Sequence, residues 1–132
     1  MMPKRPTSIL VVDDEPHIRT LLQQTLEDLG SEVEITLAKD GREGLHQALL
    51  LQPILIFLDI MMPHLNGFEV CQRLRQSPEM KDTVIVLLTA RGQEVDRQAG
   101  LEAGANHYIT KPFDPDAVLA LARQVLEAKH HA

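Results

Sequence analysis

Hydrophobic residues along the chain form two kinds of pattern, continuous apolar runs and apolar positions at helical spacing. Three runs, 9–12, 54–58 and 84–88, are uninterrupted, as expected of strands buried on both faces of a parallel sheet. Residues 33–37 alternate apolar and polar side chains, which predicts an edge strand. A short fifth strand is expected at 107–109. The pattern therefore predicts a five-stranded sheet with one half-polar edge.

Helical patterns separate the predicted strands. The clearest has apolar residues three and four positions apart between Ile18 and Leu29, and Gly30 follows as a C-cap. A second helix is predicted near the end of the chain, where Asp114 is placed as the N-cap and Pro115 as the first helical residue. Strand and helix alternate five times. This order predicts an α/β fold, a single flavodoxin-like (βα)5 doubly wound parallel sheet with strand order 2-1-3-4-5.

The predicted helix from Gln93 to Ala103 has the least apolar surface to bury. We expect its buried positions to be Val95, Ala99, Leu101 and Ala103. Because so few apolar side chains hold it, we also expect it to be the element that moves most readily.

Length and composition limit the possible classes of protein. A chain of 132 residues with 44% apolar content suits one compact domain, which we place at residues 8–127, with flexible ends at 1–7 and 128–132. The only cysteine, Cys71, excludes an internal disulfide and is expected to be a buried core thiol. The first apolar run has only four residues, 9–12, too few for a signal peptide or membrane span, so we expect a cytoplasmic protein with no membrane partner.

The charge balance bears on nucleic-acid partners. The formal net charge is −6, and most of such a surface would repel a phosphate backbone. We therefore expect no direct binding of nucleic acid.

Polar residues follow the apolar strands at the end where ligands bind in parallel sheets. Asp13 and Asp14 follow the first strand, Asp59 ends the third, Thr89 ends the fourth and Lys111 follows the fifth. The carboxyl ends of parallel strands share one edge, so these side chains should meet there. Three clustered carboxylates repel one another unless a cation lies between them, and Mg²⁺ prefers such oxygen ligands. The sequence thus predicts a magnesium site at this edge.

Four motifs carry these residues, and their order and spacing are specific only when they are taken together. They are Val12–Glu15, Asp59–Pro63 followed by Asn66–Gly67, Leu88–Arg91, and Tyr108–Phe113. With them the chain resembles, from about Ser8 to Glu127, the receiver domains of two-component signalling, also called CheY-like domains. The loops are most similar to those of the OmpR/PhoB-type response regulators.

The resemblance implies a phospho-aspartate switch. Asp59 would accept a phosphoryl group from a sensor histidine kinase or a phosphotransfer protein. Asp14 and Asp59 would ligate Mg²⁺ directly, Asp13 mainly through water, and Met61 through its backbone carbonyl. The phosphorylated domain would then change its helix 4, strand 5 and helix 5 surface to control a protein partner.

The resemblance also assigns roles to the remaining polar residues. Lys111 would pair with Asp59 and then with a phosphoryl oxygen, which neutralises charge during transfer. Thr89 would donate its hydroxyl to the phosphoryl group, and Tyr108 would swing inward as the switch aromatic. The Lys111–Pro112 peptide bond would be cis.

Two other functions for the site are weaker. A phosphatase of the haloacid dehalogenase class also phosphorylates an aspartate, but it needs a second Asp two residues later, where this chain has Met61. A flavin-binding flavodoxin would need an anion-binding loop after strand 1, where Asp13 and Asp14 would repel phosphate. We therefore expect a signalling domain rather than an enzyme. Whether it is a stand-alone regulator or a receiver fragment of a longer transcriptional regulator stays open.

The surface used for dimers in OmpR/PhoB-type receivers differs here. Arg97 is present, but Ala117, His107 and Leu121 stand where charged partners are expected. Exposed ion pairs contribute only about 0.2–1 kcal/mol each, so losing them weakens association without forbidding it. We expect a monomer or a weak dimer.

Overall fold

The computed structural model describes residues 6–90 and 96–131, without the side chains of residues 96, 130 and 131. These residues form one five-stranded parallel sheet in the order β2-β1-β3-β4-β5. The strands are β1 (Thr7–Val12), β2 (Val33–Ala38), β3 (Leu55–Asp59), β4 (Val84–Ala90) and β5 (His107–Lys111). The helices are α1 (Pro16–Leu26), α2 (Gly41–Leu51), α3 (Gly67–Arg75), α4 (Asp96–Ala103) and α5 (Pro115–His131), with short 3-10 helices at Glu27–Leu29 and Pro78–Met80. The predicted fold class and strand order are confirmed.

Helices cover both faces of the sheet, and side chains alternate along each strand between the two resulting cores. In β1, Leu10 and Val12 face the core built with α2, α3 and α4. Ile9 and Val11 face the core built with α1 and α5. All four are fully buried, which explains why the strand reads as an uninterrupted apolar run.

The predicted edge strand is confirmed, since β2 pairs with β1 at one end of the sheet. The first predicted helix needs a correction at its end. The α-helix stops at Leu26, and a 3-10 turn leads to Gly30, whose φ of 103° closes it. The Gly30 N–H donates to the Glu27 carbonyl at 3.1 Å, a bond that tightens the last turn. Glycine adopts this φ without a Cβ penalty.

The fourth helix differs most from its prediction. The predicted residues 93–95, with Val95, lie outside the described part of the chain. Ala99 and Leu101 are exposed, so their predicted burial is wrong, while Ala103 is buried as expected. The buried residue between them is Gly100, where a Cβ would lie 2.7 Å from Leu87 Cδ1. The helix thus packs through a residue without a side chain, a contact that a search for apolar side chains does not detect.

The last helix begins as predicted and ends later. Asp114 Oδ1 accepts the Asp116 N–H at 3.0 Å, and Pro115 is the first helical residue. The helix continues to His131, four residues beyond the predicted domain boundary at 127, because no glycine or proline interrupts it.

Cys71 is buried as expected, and burial raises the pKa of its thiol to about 11. In the described ranges we find no helix with the length and apolarity that crossing a membrane requires.

Arg75, at the end of α3, connects the segments that precede β4 and β5, at the amino ends of these strands. Its Nε donates to the Gly104 carbonyl and its Nη1 to the Met80 carbonyl, both at 2.8 Å. Its Nη2 donates at 2.7 Å to Asn106 Oδ1, which also accepts the Ile85 N–H at 2.7 Å. One guanidinium thus connects α3, the 3-10 helix before β4, and the loop that leads from α4 to β5.

Arg75→Ala should lower the free energy of unfolding by about 1–3 kcal/mol, because it leaves two carbonyl groups and Asn106 without a charged donor. Urea unfolding followed by circular dichroism measures this. Arg73→Ala, an exposed arginine on the same helix, is the control. Equal midpoints for the two variants would contradict the role given to Arg75.

Candidate functional site

The polar residues predicted to meet at the carboxyl edge do meet there. Asp13 and Asp14 directly follow β1, Asp59 is the last residue of β3, and Lys111 is the last residue of β5. Thr89 is the second-last residue of β4. Because β1 and β3 are adjacent in the sheet, the acidic residues that follow or end them converge at the point where the strand order reverses.

Three carboxylates form the centre of this site. Asp13, Asp14 and Asp59 each offer an oxygen, and these three oxygens lie within 4.8 Å of one another. Asp13 and Asp59 are buried, while Asp14 is exposed and opens the cluster to solvent. The arrangement combines two fixed oxygens with an accessible third.

Backbone contacts fix the first of these carboxylates. Asp13 Oδ1 accepts the Glu15 N–H at 2.9 Å, and the Asp13 carbonyl accepts Arg19 Nη1 at 2.7 Å. The Asp13 N–H donates to the Ala38 carbonyl at 3.1 Å, which extends the β1–β2 pairing by one residue. The loop between β1 and α1 is therefore held on three sides.

Lys111 reaches all the way into the cluster. Its Nζ lies 2.8 Å from Asp13 Oδ2 and 3.4 Å from Asp59 Oδ1. A third carboxylate oxygen, Glu15 Oε1, is also 3.4 Å away. The pairing with Asp59 that the resemblance implies is thus present, but the shortest contact of Lys111 is with Asp13.

Burial and mutual repulsion make this site unfavourable for negative charge. Burial, followed by the charge of Asp13, raises the pKa of Asp59 from 3.8 to about 7, although Lys111 opposes the shift. Burial likewise raises the pKa of Asp13. Burial alone would lower the pKa of Lys111, but the ion pairs with Asp13, Asp59 and Glu15 raise it above its usual value. The lysine stays charged, and one positive charge faces an excess of carboxylates.

The donor set fits a hard divalent cation. Carboxylate oxygens are the ligands that Mg²⁺ selects, and two or three of them leave room in its coordination sphere for water and a phosphate oxygen. The exposed side of Asp14 offers a path for entry. A cation here would also relieve the repulsion that raises the pKa of Asp59.

Of the remaining predicted residues, Met61 contacts this centre, Thr89 lies in the strand beside Asp59, and Tyr108 lies against α4. The Met61 N–H donates to Asp59 Oδ1 at 3.3 Å, and the Met61 side chain is exposed at the mouth. Thr89 is buried beside the site, and its hydroxyl donates to the Ala90 carbonyl at 3.5 Å. Tyr108 is half-buried in β5, with the guanidinium of Arg97 5.4 Å from its ring centroid. The Lys111–Pro112 peptide bond is cis, as the resemblance implies.

Sequence reasoning missed two residues that shape the site. Glu15 contacts Lys111, and its only signal is its place between the Asp pair and Pro16. Gly67 stands in one of the four motifs, but nothing in the sequence indicates its contact with β3. Asn66 is the N-cap of α3, in a capping box with Glu69. Gly67, the first residue of α3, lies so close to the end of β3 that a Cβ would be 2.5 Å from the Asp59 carbonyl oxygen.

Comparisons with known proteins agree with this geometry. Residues 9–123 match the family model described as the response regulator receiver domain. The chain is 51% identical over 118 residues to the alkaline phosphatase synthesis transcriptional regulatory protein PhoP of Bacillus subtilis, which covers 89% of this chain and 48% of that protein. It is 45% identical, with the same coverage, to the DNA-binding dual master transcriptional regulator RpaA of Synechocystis. The chain thus spans about half the length of these relatives.

The structural comparison points to the same fold. The chemotaxis protein CheY4 of Vibrio cholerae superposes with a TM-score of 0.81 at 34% identity, covering 90% of this chain and 98% of that one.

Since the two longer relatives are named as transcriptional regulators, the comparisons lend no support to the prediction that nucleic acid is not a partner. Receiver domains of this family are signalling modules that histidine kinases phosphorylate and that bind Mg²⁺ in an acidic pocket. The family match over most of the chain, the parallel sheet in the order 2-1-3-4-5 and the acidic pocket at its carboxyl edge together identify this chain as a response-regulator receiver domain of two-component signalling.

Proposed function

We propose that Asp59 is the phosphoacceptor of this receiver domain, and that residues 8–127 form the unit that is switched. The observation that carries the proposal is the placement of Asp59, a buried carboxylate at the end of β3 with Lys111 Nζ 3.4 Å from its Oδ1. Asp13 and Asp14 complete the acidic cluster around it. A buried acid in such surroundings is retained for chemistry more often than for packing.

The reaction is a transfer of a phosphoryl group to the Asp59 carboxylate. An Asp59 oxygen attacks phosphorus, the bond from phosphorus to the donor's leaving atom breaks, and the leaving group departs with that electron pair. With a histidine kinase the leaving atom is an imidazole nitrogen, and with acetyl phosphate it is an acetate oxygen. The product is an acyl phosphate on Asp59. The domain thereby assists its own phosphorylation and is not an enzyme acting on a separate substrate.

The chain's own residues lower the barrier by neutralising charge. Lys111 lies where its Nζ can turn from Asp13 and Asp59 to a phosphoryl oxygen, and its raised pKa keeps it protonated. Asp13, Asp14, Asp59 and the Met61 carbonyl would hold Mg²⁺, which supplies the positive charge that the phosphoryl group needs. The hydroxyl of Thr89 would donate to the phosphoryl group once it is in place.

The output of the switch is a change in the surface formed by α4, β5 and α5. Thr89 and Tyr108 lie in neighbouring strands, and Tyr108 Cδ2 is 3.8 Å from the position of a Cβ at Gly100 in α4. A shift of Thr89 toward the phosphoryl group would vacate space that Tyr108 can enter, which would alter the packing of α4. The partner is a protein, and with Leu121 and Ala117 in place of charged residues we propose a monomer or a weak dimer.

The test is phosphorylation by acetyl phosphate with Mg²⁺, followed by mass spectrometry of the intact protein and peptide mapping. One phosphoryl adduct on Asp59 is expected, with no adduct in Asp59→Asn or in the presence of EDTA. Asp82→Asn, an exposed aspartate outside the cluster, is the matched control and should be modified like the wild type. An adduct that persists in Asp59→Asn, or forms equally well with chelator, would refute the proposal.

A further inference from the structure

Glu15 is the least explained polar residue around the site. Its Oε1 lies 3.4 Å from Lys111 Nζ, the same distance as Asp59 Oδ1. Its side chain is 46% exposed, whereas those of Asp13 and Asp59 are buried, so Glu15 stands at the mouth of the site. Lys111 is therefore shared among two buried carboxylates and one that solvent reaches.

The position of Glu15 is fixed from several directions. Its N–H donates to Asp13 Oδ1 at 2.9 Å, and its carbonyl accepts the N–H groups of Ile18 and Arg19, both at 3.1 Å. Pro16 follows it as the first residue of α1 and keeps its backbone extended. Its second oxygen, Oε2, lies 3.2 Å from His17 Nε2. The backbone of Glu15 is thus fixed, and the two oxygens of its carboxylate contact Lys111 and His17.

We propose that Glu15 is a positioning residue that competes with the phosphoryl group for Lys111 and so limits the rate at which Asp59 is phosphorylated. This inference rests on the proposed function of Asp59. With Asp13, Asp14 and Asp59 holding a divalent cation, the charges of the two buried partners of Lys111 would be neutralised. Glu15, which is not in that cluster, then remains the carboxylate within reach of the ammonium group. An arriving phosphoryl oxygen must displace it.

Removing the Glu15 carboxylate should therefore speed phosphorylation. Glu15→Gln should raise the initial rate with acetyl phosphate, at saturating Mg²⁺, by about two- to fivefold, the range expected for one half-exposed ion pair. Glu15→Asp keeps the charge but is one methylene shorter, so it should lose the contact and behave like Glu15→Gln. Glu32→Gln removes the same charge from an exposed position just before β2. This position lies at the amino ends of the strands, whereas the site lies at their carboxyl ends, so the rate should be unchanged.

The route through Lys111 is tested by a double-variant cycle. In a Lys111→Ala background, where phosphorylation is slow, adding Glu15→Gln should have no further effect, because the ammonium group that Glu15 holds is gone. An equal acceleration in that background, or a Glu15→Asp rate equal to that of the wild type, would mean that Glu15 simply repels the anionic donor, and would overturn the proposal.

The outcomes also separate this inference from the function on which it rests. If peptide mapping finds the adduct away from Asp59, the proposed function fails. If Asp59 carries the adduct and Glu15→Gln reacts at the wild-type rate, the function stands and the role of Glu15 is refuted. Thermal melts of all variants, run alongside, should be similar, since Glu15 is half-exposed and its backbone contacts do not depend on the side chain.

Discussion

Without divalent cations, Asp59→Asn should be more stable than the wild type at pH 8, by about 1–3 kcal/mol. In the folded protein Asp59 is buried beside Asp13, which raises its pKa from 3.8 to about 7. Three pKa units correspond to about 4 kcal/mol at most, and rearrangement of Lys111 reduces this figure. The amide of asparagine removes the buried charge and can still accept the N–H of Met61.

The effect should depend on pH in a defined direction. Above its unfolded pKa of 3.8 and below its folded pKa of about 7, Asp59 binds more protons in the folded than in the unfolded state. The free energy of unfolding of the wild type therefore falls as pH rises from about 4 to 7 and levels off above that range. The advantage of Asp59→Asn should be absent near pH 4 and complete near pH 8. The raised pKa of Asp13 acts in the same direction in both proteins.

Urea unfolding in EDTA between pH 4 and 8 measures this difference. Asp82→Asn, which removes an exposed charge, should follow the wild type at every pH. Saturating Mg²⁺ should stabilise the wild type more than Asp59→Asn, because only the wild type has all three carboxylates. A wild type that is more stable than Asp59→Asn in EDTA at pH 8 would show that Lys111 compensates the buried charge fully.

The sequence predicts the fold well because its signals are local and periodic. A strand that is buried on both faces must be apolar throughout, so the run at 9–12 indicates a central strand. A strand at the side of the sheet alternates apolar and polar residues, so the pattern at 33–37 indicates an edge strand. The order of the elements then leaves few topologies. The convergence of Asp13, Asp59 and Lys111 follows, since each lies at the carboxyl end of a parallel strand.

The details that the sequence does not predict depend on contacts between distant segments. The lysine's shortest contact is with Asp13 and not with Asp59, and no motif predicts this preference. The role of Arg75 requires α3, the 3-10 helix before β4 and the loop between α4 and β5 to meet. The buried face of α4 is centred on Gly100, and a residue without a side chain gives no hydrophobic signal. The motifs thus indicate which residues belong to the site, while the packing of distant segments determines which of these residues contact one another.

Gly67 is the residue where fold and site are most tightly connected, and Gly67→Ala should lower the free energy of unfolding by about 2–4 kcal/mol. A Cβ at this position would lie 2.5 Å from the Asp59 carbonyl oxygen and 2.9 Å from Ile60 Cα. Both are backbone atoms, so no side-chain rotation can relieve the clash. Either α3 or the end of β3 must move, and the second possibility displaces Asp59 itself.

Two measurements separate loss of stability from displacement of the site. Urea unfolding gives the first, and the initial rate of phosphorylation by acetyl phosphate, under conditions where each variant is folded, gives the second.

Gly30→Ala is the matched control. Its Cβ meets nothing within 4 Å, but the φ of 103° is strained for alanine and should cost about 1–3 kcal/mol. Gly30 lies before β2, at the amino ends of the strands, whereas Asp59 lies at the carboxyl end of β3. This variant should therefore be less stable than the wild type but phosphorylated at the wild-type rate. Gly67→Ala should be less stable and phosphorylated at least several-fold more slowly, because phosphoryl transfer depends on the position of the carboxylate to within fractions of an ångström. A Gly67→Ala protein that keeps the wild-type rate would mean that α3 moves and that β3 holds Asp59 in place without help from the turn.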